Sequence, residues 1–118
     1  MSRNLLSVLL LGAALIHPAF AQDQYPNKAI RFVVPFAPGG GTDLIGRIVA
    51  QGLNDALGQP VVVDNRGGAG STLGTEIVAK SPADGYTILF GNISLAFNAT
   101  LYTRLRYDAI RDLAAVSL

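Results

Sequence analysis

The apolar positions of this chain fall into blocks of two periods, which predict strands and helices in alternation. Residues 30–36, Ile30-Arg31-Phe32-Val33-Val34-Pro35-Phe36, are nearly all apolar, as in a strand covered on both faces of a parallel sheet. Leu44, Ile45, Ile48, Val49, Leu53 and Leu57 then recur at helical spacing, with Arg47, Gln51, Asn54 and Asp55 between them. That pattern predicts an amphipathic helix whose apolar stripe faces the core. Thr42 or Asp43 is placed to cap it, and Gly58 and Pro60 to stop it. Residues 61–64 form a second, β-branched strand. Residues 71–80 form a second helix with Leu73, Ile77 and Val78 facing inward. Pro82-Ala83-Asp84-Gly85 makes a turn, and residues 86–90 form a third strand. Short helical turns are expected over residues 96–101. The apolar run 113–118 reads as a buried fourth strand that has just begun.

This alternation is that of parallel βαβ units. In such sheets ligands sit beyond the carboxyl ends of the strands, where the strand order reverses. With strand one between strands two and three, loops 37–43, 66–71 and 91–94 would converge. Two of them are glycine-rich: Pro38-Gly39-Gly40-Gly41-Thr42-Asp43 and Arg66-Gly67-Gly68-Ala69-Gly70-Ser71. Each lies between a strand and a helix start. There a bare backbone lets a ligand approach, and the first helical N–H groups have no internal partner. The candidate ligand neighbours are Phe36, Gly39, Gly40, Gly41, Thr42, Asp43, Gly68, Ala69, Gly70, Ser71, Asn92 and Ser94. Asp43 repels a carboxylate, so capping or holding a water suits it better than direct contact. Arg66 is read as pinning its loop more than as meeting the ligand, and Tyr86, Tyr102 and Tyr107 as packing residues.

The first 21 residues read as a secretory signal peptide. Arg3 supplies a positive start, residues 5–16 are apolar, and Ala19-Phe20-Ala21 is an A-x-A cleavage site before Gln22. An uncleaved anchor is the alternative, but the apolar run is short for a membrane span. Cleavage would remove Arg3 and His17, the only histidine, leaving eight basic and eight acidic residues. Such a balance supplies no basic field for nucleic acid or an anionic membrane. With no cysteine in the 118 residues and no remaining histidine, neither a zinc site nor a histidine-based triad can be built. No metal or cofactor is expected. No Gly-Lys pair occurs, so a phosphate P-loop is excluded. The dinucleotide fingerprint G-x-G-x-x-G fails twice at its third glycine, where Leu44 and Leu73 stand. Asp64 at the end of strand two keeps a dinucleotide-binding enzyme domain open as a weak alternative.

One ordered set of motifs is more specific. It runs through Tyr25-Pro26-x-Lys28-x-Ile30-Arg31, then Val34-Pro35-Phe36-x-Pro38-Gly39-Gly40-Gly41-Thr42-Asp43. It continues with Leu57-Gly58-Gln59-Pro60-Val61-Val62-Val63-x-Asn65-Arg66, Gly68-Ala69-Gly70, Ala83-Asp84-Gly85-Tyr86-Thr87 and Leu101-Tyr102. In these the chain resembles the Bug family, the substrate-binding proteins of tripartite tricarboxylate transporters, from Tyr25 to Leu118. The resemblance implies a parallel α/β sheet, βαβαβ, forming part of lobe one of a two-lobed periplasmic binding protein. It implies a receptor and not an enzyme, which captures a small carboxylate or related solute and passes it to membrane permease subunits. Family members are much longer, so residues 22–118 are expected to be the first part of a lobe, apparently truncated. A truncated fragment that binds nothing is the main alternative. The family commonly has Arg-Pro-Gly-Ala-Gly in the second loop. Gly67 replaces that proline, which predicts a loop more flexible when empty, and 91–94 also departs from the usual small residues.

Overall fold

The computed structural model describes residues 24–117. The expected signal peptide and its cleavage site lie outside the described residues. The sheet has three parallel strands, β1 (Ile30–Val34), β2 (Val61–Asn65) and β3 (Thr87–Leu89), in the order β2-β1-β3. β1 is central, as its apolar run requires. Its register pairs Ile30 with Val61 and Arg31 with Thr87. Hydrogen bonds extend both ladders past the strand ends. Ile30 N–H donates to the Pro60 carbonyl and Arg31 N–H to the Tyr86 carbonyl, each at 2.8 Å. Arg66 and Phe90 N–H groups donate to the Val34 and Val33 carbonyls, also at 2.8 Å.

Helix α1 (Gly41–Leu57) covers one face of the sheet and α2 (Thr72–Ala79) the other. Two helical glycines set these approaches. A methyl group on Gly46 would lie 2.9 Å from Val34 Cγ2, and one on Gly74 would lie 2.7 Å from Pro35 Cβ. Val34 and Pro35 are adjacent, so their side chains point to opposite faces. The core on the α1 side is Phe32, Val34 and Ala50. Phe36, Leu53, Val61, Val63, Ile88 and Phe90 pack against it.

Both helices are rotated relative to the sequence expectation. On α1 the buried residues are Asp43, Gly46 and Ala50, whereas Leu44 and Ile48 are 63% and 65% exposed. Small residues let the helix axis approach the sheet, and this rotation also places Asp43 under the first loop. On α2 the inner positions are Gly74 and Thr75, and Leu73 faces outward. Again the close approach selects the smallest side chains.

Helix α3 (Ser94–Leu101) follows β3 and includes the helical turns expected over residues 96–101. The expected fourth strand is absent among the described residues. Residues 113–117 carry no strand pairing and are mostly exposed. A turn at Asp108–Asp112 comes first, in which the Asp108 carboxylate accepts from the N–H groups of Ile110 and Arg111. An apolar run becomes a strand only beside a pairing edge, and the path after this turn brings it to neither β2 nor β3. The segment before β1 is clamped to the other end of the sheet. Tyr25 hydroxyl donates to the Gly85 carbonyl at 2.7 Å, and its ring meets Tyr86 edge-on at 5.1 Å.

Candidate functional site

Because β1 is central, the loops after β1, β2 and β3 meet at one end of the sheet. Cross-links join them in series. The first loop leaves β1 at Pro35 and enters α1 at Gly41. Only Gly39 in it has a left-handed backbone, with φ 88°, while Gly40 sits at φ −83° as the helix cap. Neither Thr42 nor Asp43 is the N-cap. Asp43 lies in the first helical turn and reaches back, accepting the Gly39 N–H at 2.9 Å. Its other oxygen accepts from Asn65 Nδ2 at 2.8 Å, and Arg47 Nε donates to the first oxygen at 3.1 Å.

Asp43 is only 4% exposed. The Gly39 N–H, then the Asn65 amide, then Arg47 hold its carboxyl down to a pKa of about 2. A carboxylate so occupied shapes the loop from beneath. A shallow hollow lies above it, lined by Gly39, Gly40, Gly41, Asp43, Leu44 and Arg47.

Asn65, at the end of β2, joins the first loop to the second. Its Nδ2 also donates to the Phe36 carbonyl at 3.2 Å, and its Oδ1 accepts from Arg47 Nη2 at 3.0 Å. Two residues on, Gly67 comes against the first loop. A Cβ there would lie 2.9 Å from the Ala37 nitrogen. The bare backbone at 67, expected to loosen the second loop, is what permits this close approach. Arg66 turns back along β2 and donates to Asp64 Oδ1 at 2.8 Å, the pinning position expected for it. Burial pushes the Asp64 carboxyl up, but hydrogen bonds and charge from Arg31 and Arg66 outweigh this and leave it lowered.

The second loop then makes a turn that the sequence pattern does not announce. Gly68, Ala69, Gly70 and Ser71 have φ of 136°, 46°, 62° and 77° in succession. A left-handed backbone costs roughly 1–2 kcal/mol per L-residue, so Ala69 and Ser71 are held there by their surroundings. Thr72 hydroxyl donates to the Ala69 carbonyl at 2.8 Å, and Thr75 hydroxyl to the Ser71 carbonyl at 2.9 Å. From α3, Asn98 Nδ2 donates to the Gly70 carbonyl at 2.7 Å and to Ser71 Oγ at 3.1 Å. Tyr102 hydroxyl reaches the Ala69 carbonyl at 3.2 Å.

The third loop closes the series through a 2.7 Å hydrogen bond between Ser71 and Ser94 hydroxyls. Asn92 Oδ1 accepts the Ser94 N–H at 2.9 Å. All twelve candidate residues therefore lie in three neighbouring loops or in the first turns of the helices that follow them. Sequence reasoning missed Asn65 and Asn98 and took Tyr102 only as a packing residue. Asn98 had one signal: it is a lone amide within the apolar stretch Leu95-Ala96-Phe97-Asn98-Ala99. Among the described residues no group of His, Cys, Asp and Glu could hold a metal ion.

Comparison with known proteins agrees with this architecture. Residues 45–118 match the family described as the tripartite tricarboxylate transporter family receptor. The chain is 44% identical over 115 residues to protein BugT of Bordetella pertussis, covering 96% of this chain and 35% of BugT. It superposes on periplasmic binding protein BugD with a TM-score of 0.72 and 41% identity, over 75% of this chain and 29% of BugD. MatC from Rhodopseudomonas palustris, solved with bound malate, gives a TM-score of 0.70 at 35% identity, over 75% of this chain and 30% of MatC. The chain spans about a third of the length of the curated relatives it matches. The strand order, the two glycine loops and this match agree, and the chain belongs to the tripartite tricarboxylate transporter receptor family.

Proposed function

We propose that this chain supplies one wall of a ligand cleft in a periplasmic solute receptor, not an enzyme. The receptor captures a small carboxylate and delivers it to membrane permease subunits. The observation that carries the reading is the convergence of three cross-linked loops at the carboxyl ends of β1, β2 and β3. The bound malate of MatC supports a carboxylate as the ligand class.

The ligand neighbours are Phe36, Gly39, Gly40, Gly41, Thr42, Gly68, Ala69, Gly70, Ser71, Asn92 and Ser94, acting mainly through backbone N–H groups, hydroxyls and bridging waters. Asp43 acts through the shape it imposes on its loop. Each helix dipole contributes about 0.3–1 kcal/mol at an exposed site, up to about 2 when partly buried. A micromolar complex needs about −8.2 kcal/mol. Most of the affinity therefore comes from burying the ligand against the remaining two-thirds of length that the relatives carry.

Calorimetric titration tests this. MatC with its matched third replaced by residues 24–118 of this chain should bind at least one acid from a panel of malate, succinate, tartrate and citrate. A folded chimera that binds none of them overturns the reading. The export step has its own test. Amino-terminal sequencing of the exported protein should begin at Gln22, and intact Met1 in the cytoplasm would contradict it.

A further inference from the structure

We propose that Asn98 is the positioning residue of the second glycine loop: from α3 it holds Ala69–Ser71 in the left-handed turn before any ligand arrives. What the turn is used for rests on the receptor reading above; that Asn98 holds it does not.

Three observations converge on Asn98. First, the turn is unfavourable on its own, because Ala69 and Ser71 are L-residues at φ 46° and 77°, where only glycine sits without strain. Second, Asn98 is 4% exposed, and its amide makes two bonds into the turn, to the Gly70 carbonyl and to Ser71 Oγ. Losing that amide strips the Gly70 carbonyl of its side-chain donor and leaves Ser71 Oγ with Ser94 alone. Third, the turn's carbonyls at 69, 70 and 71 all accept from side chains: Tyr102 and Thr72, Asn98, and Thr75. In a trans peptide the N–H points opposite to the C=O. Holding the Ala69 carbonyl toward Tyr102 thus turns the Gly70 N–H away from α3, and holding the Gly70 carbonyl toward Asn98 does the same for Ser71. Asn98 of α3 and Tyr102 just after it therefore set the direction of the backbone donors in the second loop.

Amide hydrogen exchange on the expressed chain tests the proposal without ligand. Asn98→Leu keeps the size of the side chain and removes its donors. Exchange at Thr72, whose N–H is bonded to the Ala69 carbonyl, should rise about tenfold, while Phe32 and Val33 in β1 keep their parent rates. Tyr102→Phe deletes one hydrogen bond at a half-exposed position and should produce a smaller rise at Thr72, which shares the Ala69 carbonyl, even if Asn98→Leu fails to fold. Ala69→Gly removes the strain at that residue, so adding it to Asn98→Leu should return the exchange to within about threefold of the parent. Rescue of that kind separates holding a strained turn from packing α3.

Unchanged exchange in folded Asn98→Leu and in Tyr102→Phe overturns the proposal. So does a rise shared equally by β1 that Ala69→Gly does not reverse. The receptor reading fails separately, if the folded chimera binds no acid of the panel while the exchange pattern holds.

Discussion

One methyl group added at Gly74 and one at Gly52 should move the stability of this chain in opposite directions. Both glycines lie within helices, Gly74 in α2 and Gly52 in α1. In each, alanine is intrinsically better than glycine by about 0.8–1.0 kcal/mol. At Gly52 nothing lies within 4 Å of the new Cβ, so Gly52→Ala should realise most of that gain. At Gly74 the new Cβ would lie 2.7 Å from Pro35 Cβ, 2.7 Å from the Arg66 carbonyl oxygen and 2.8 Å from Pro35 Cα. Two of those atoms are backbone and the third belongs to a proline ring, so none can swing aside. Overpacking costs typically 1–3 kcal/mol. Contacts this short with fixed atoms put the site at or above the upper end, leaving a net loss of about 2 kcal/mol after the propensity gain. For a domain of this size each kcal/mol shifts Tm by roughly 4–8 °C. Gly52→Ala should therefore raise Tm by several degrees, and Gly74→Ala should lower it by about 10 °C or more, read by circular dichroism on the same preparation. A Gly74→Ala variant that melts at or above the parent would refute the reasoning, since α2 could then not be seated on Pro35 as described.

Three further outcomes are expected. Asp43 titrates at about 2 in the folded chain, below its usual 3.8; a lowered carboxylate stabilises the fold above the usual value and loses that stabilisation as pH falls through the lowered one, so Tm should drop between pH 4 and 2, and Asp43→Asn should flatten that part of the profile. In the MatC chimera, Gly40→Val and Gly70→Val should weaken acid binding more than Arg66→Ala in calorimetric titration; Gly40 has an ordinary φ, and its Cβ would meet only the Ala37 carbonyl oxygen, at 3.9 Å, so its variant chiefly tests ligand approach, whereas Gly70 adds φ 62° and a Tyr102 hydroxyl at 3.1 Å. Leu44, Ile45 and Ile48 lie exposed on α1, so Ile48→Glu should reduce self-association in sedimentation experiments and leave the circular dichroism spectrum unchanged.

The strand order was legible because a run such as Ile30–Val34 can be satisfied only between two strands and under two helices. The loop convergence followed from that order. The helix faces were legible only in part: Leu53 packs on the core as its stripe requires, but Leu44, Ile48 and Leu73 face outward. Periodicity identifies an apolar stripe, but the faces turned to the sheet here are those with Gly46, Ala50, Gly74 and Thr75, because close approach favours small side chains. The candidate loops were legible as backbone and not as side chains. Glycine clusters mark where a chain turns tightly, so 39–41 and 68–70 stood out. Asn65 and Asn98 act across 22 to 29 positions of sequence, and no local pattern encodes a partner that distant. The left-handed run from 68 to 71 includes an alanine and a serine, whose local preferences argue against it. Hydrogen bonds from Thr72 and Thr75 and, across the fold, from Asn98 and Tyr102 keep it.

The contact at Gly67 has an evolutionary consequence. Any residue with a Cβ at that position, proline included, would need the backbone at 36–37 to step back. The first loop could retreat only by lengthening the hydrogen bonds of Asn65 to Phe36 and Asp43. Positions 36, 37, 43, 65 and 67 therefore form one epistatic unit, in which substitutions at 67 and in the first loop do not add. Lineages that diverge in ligand choice at one glycine loop would carry compensating changes in the other, and single-residue swaps between relatives would understate what each position can do.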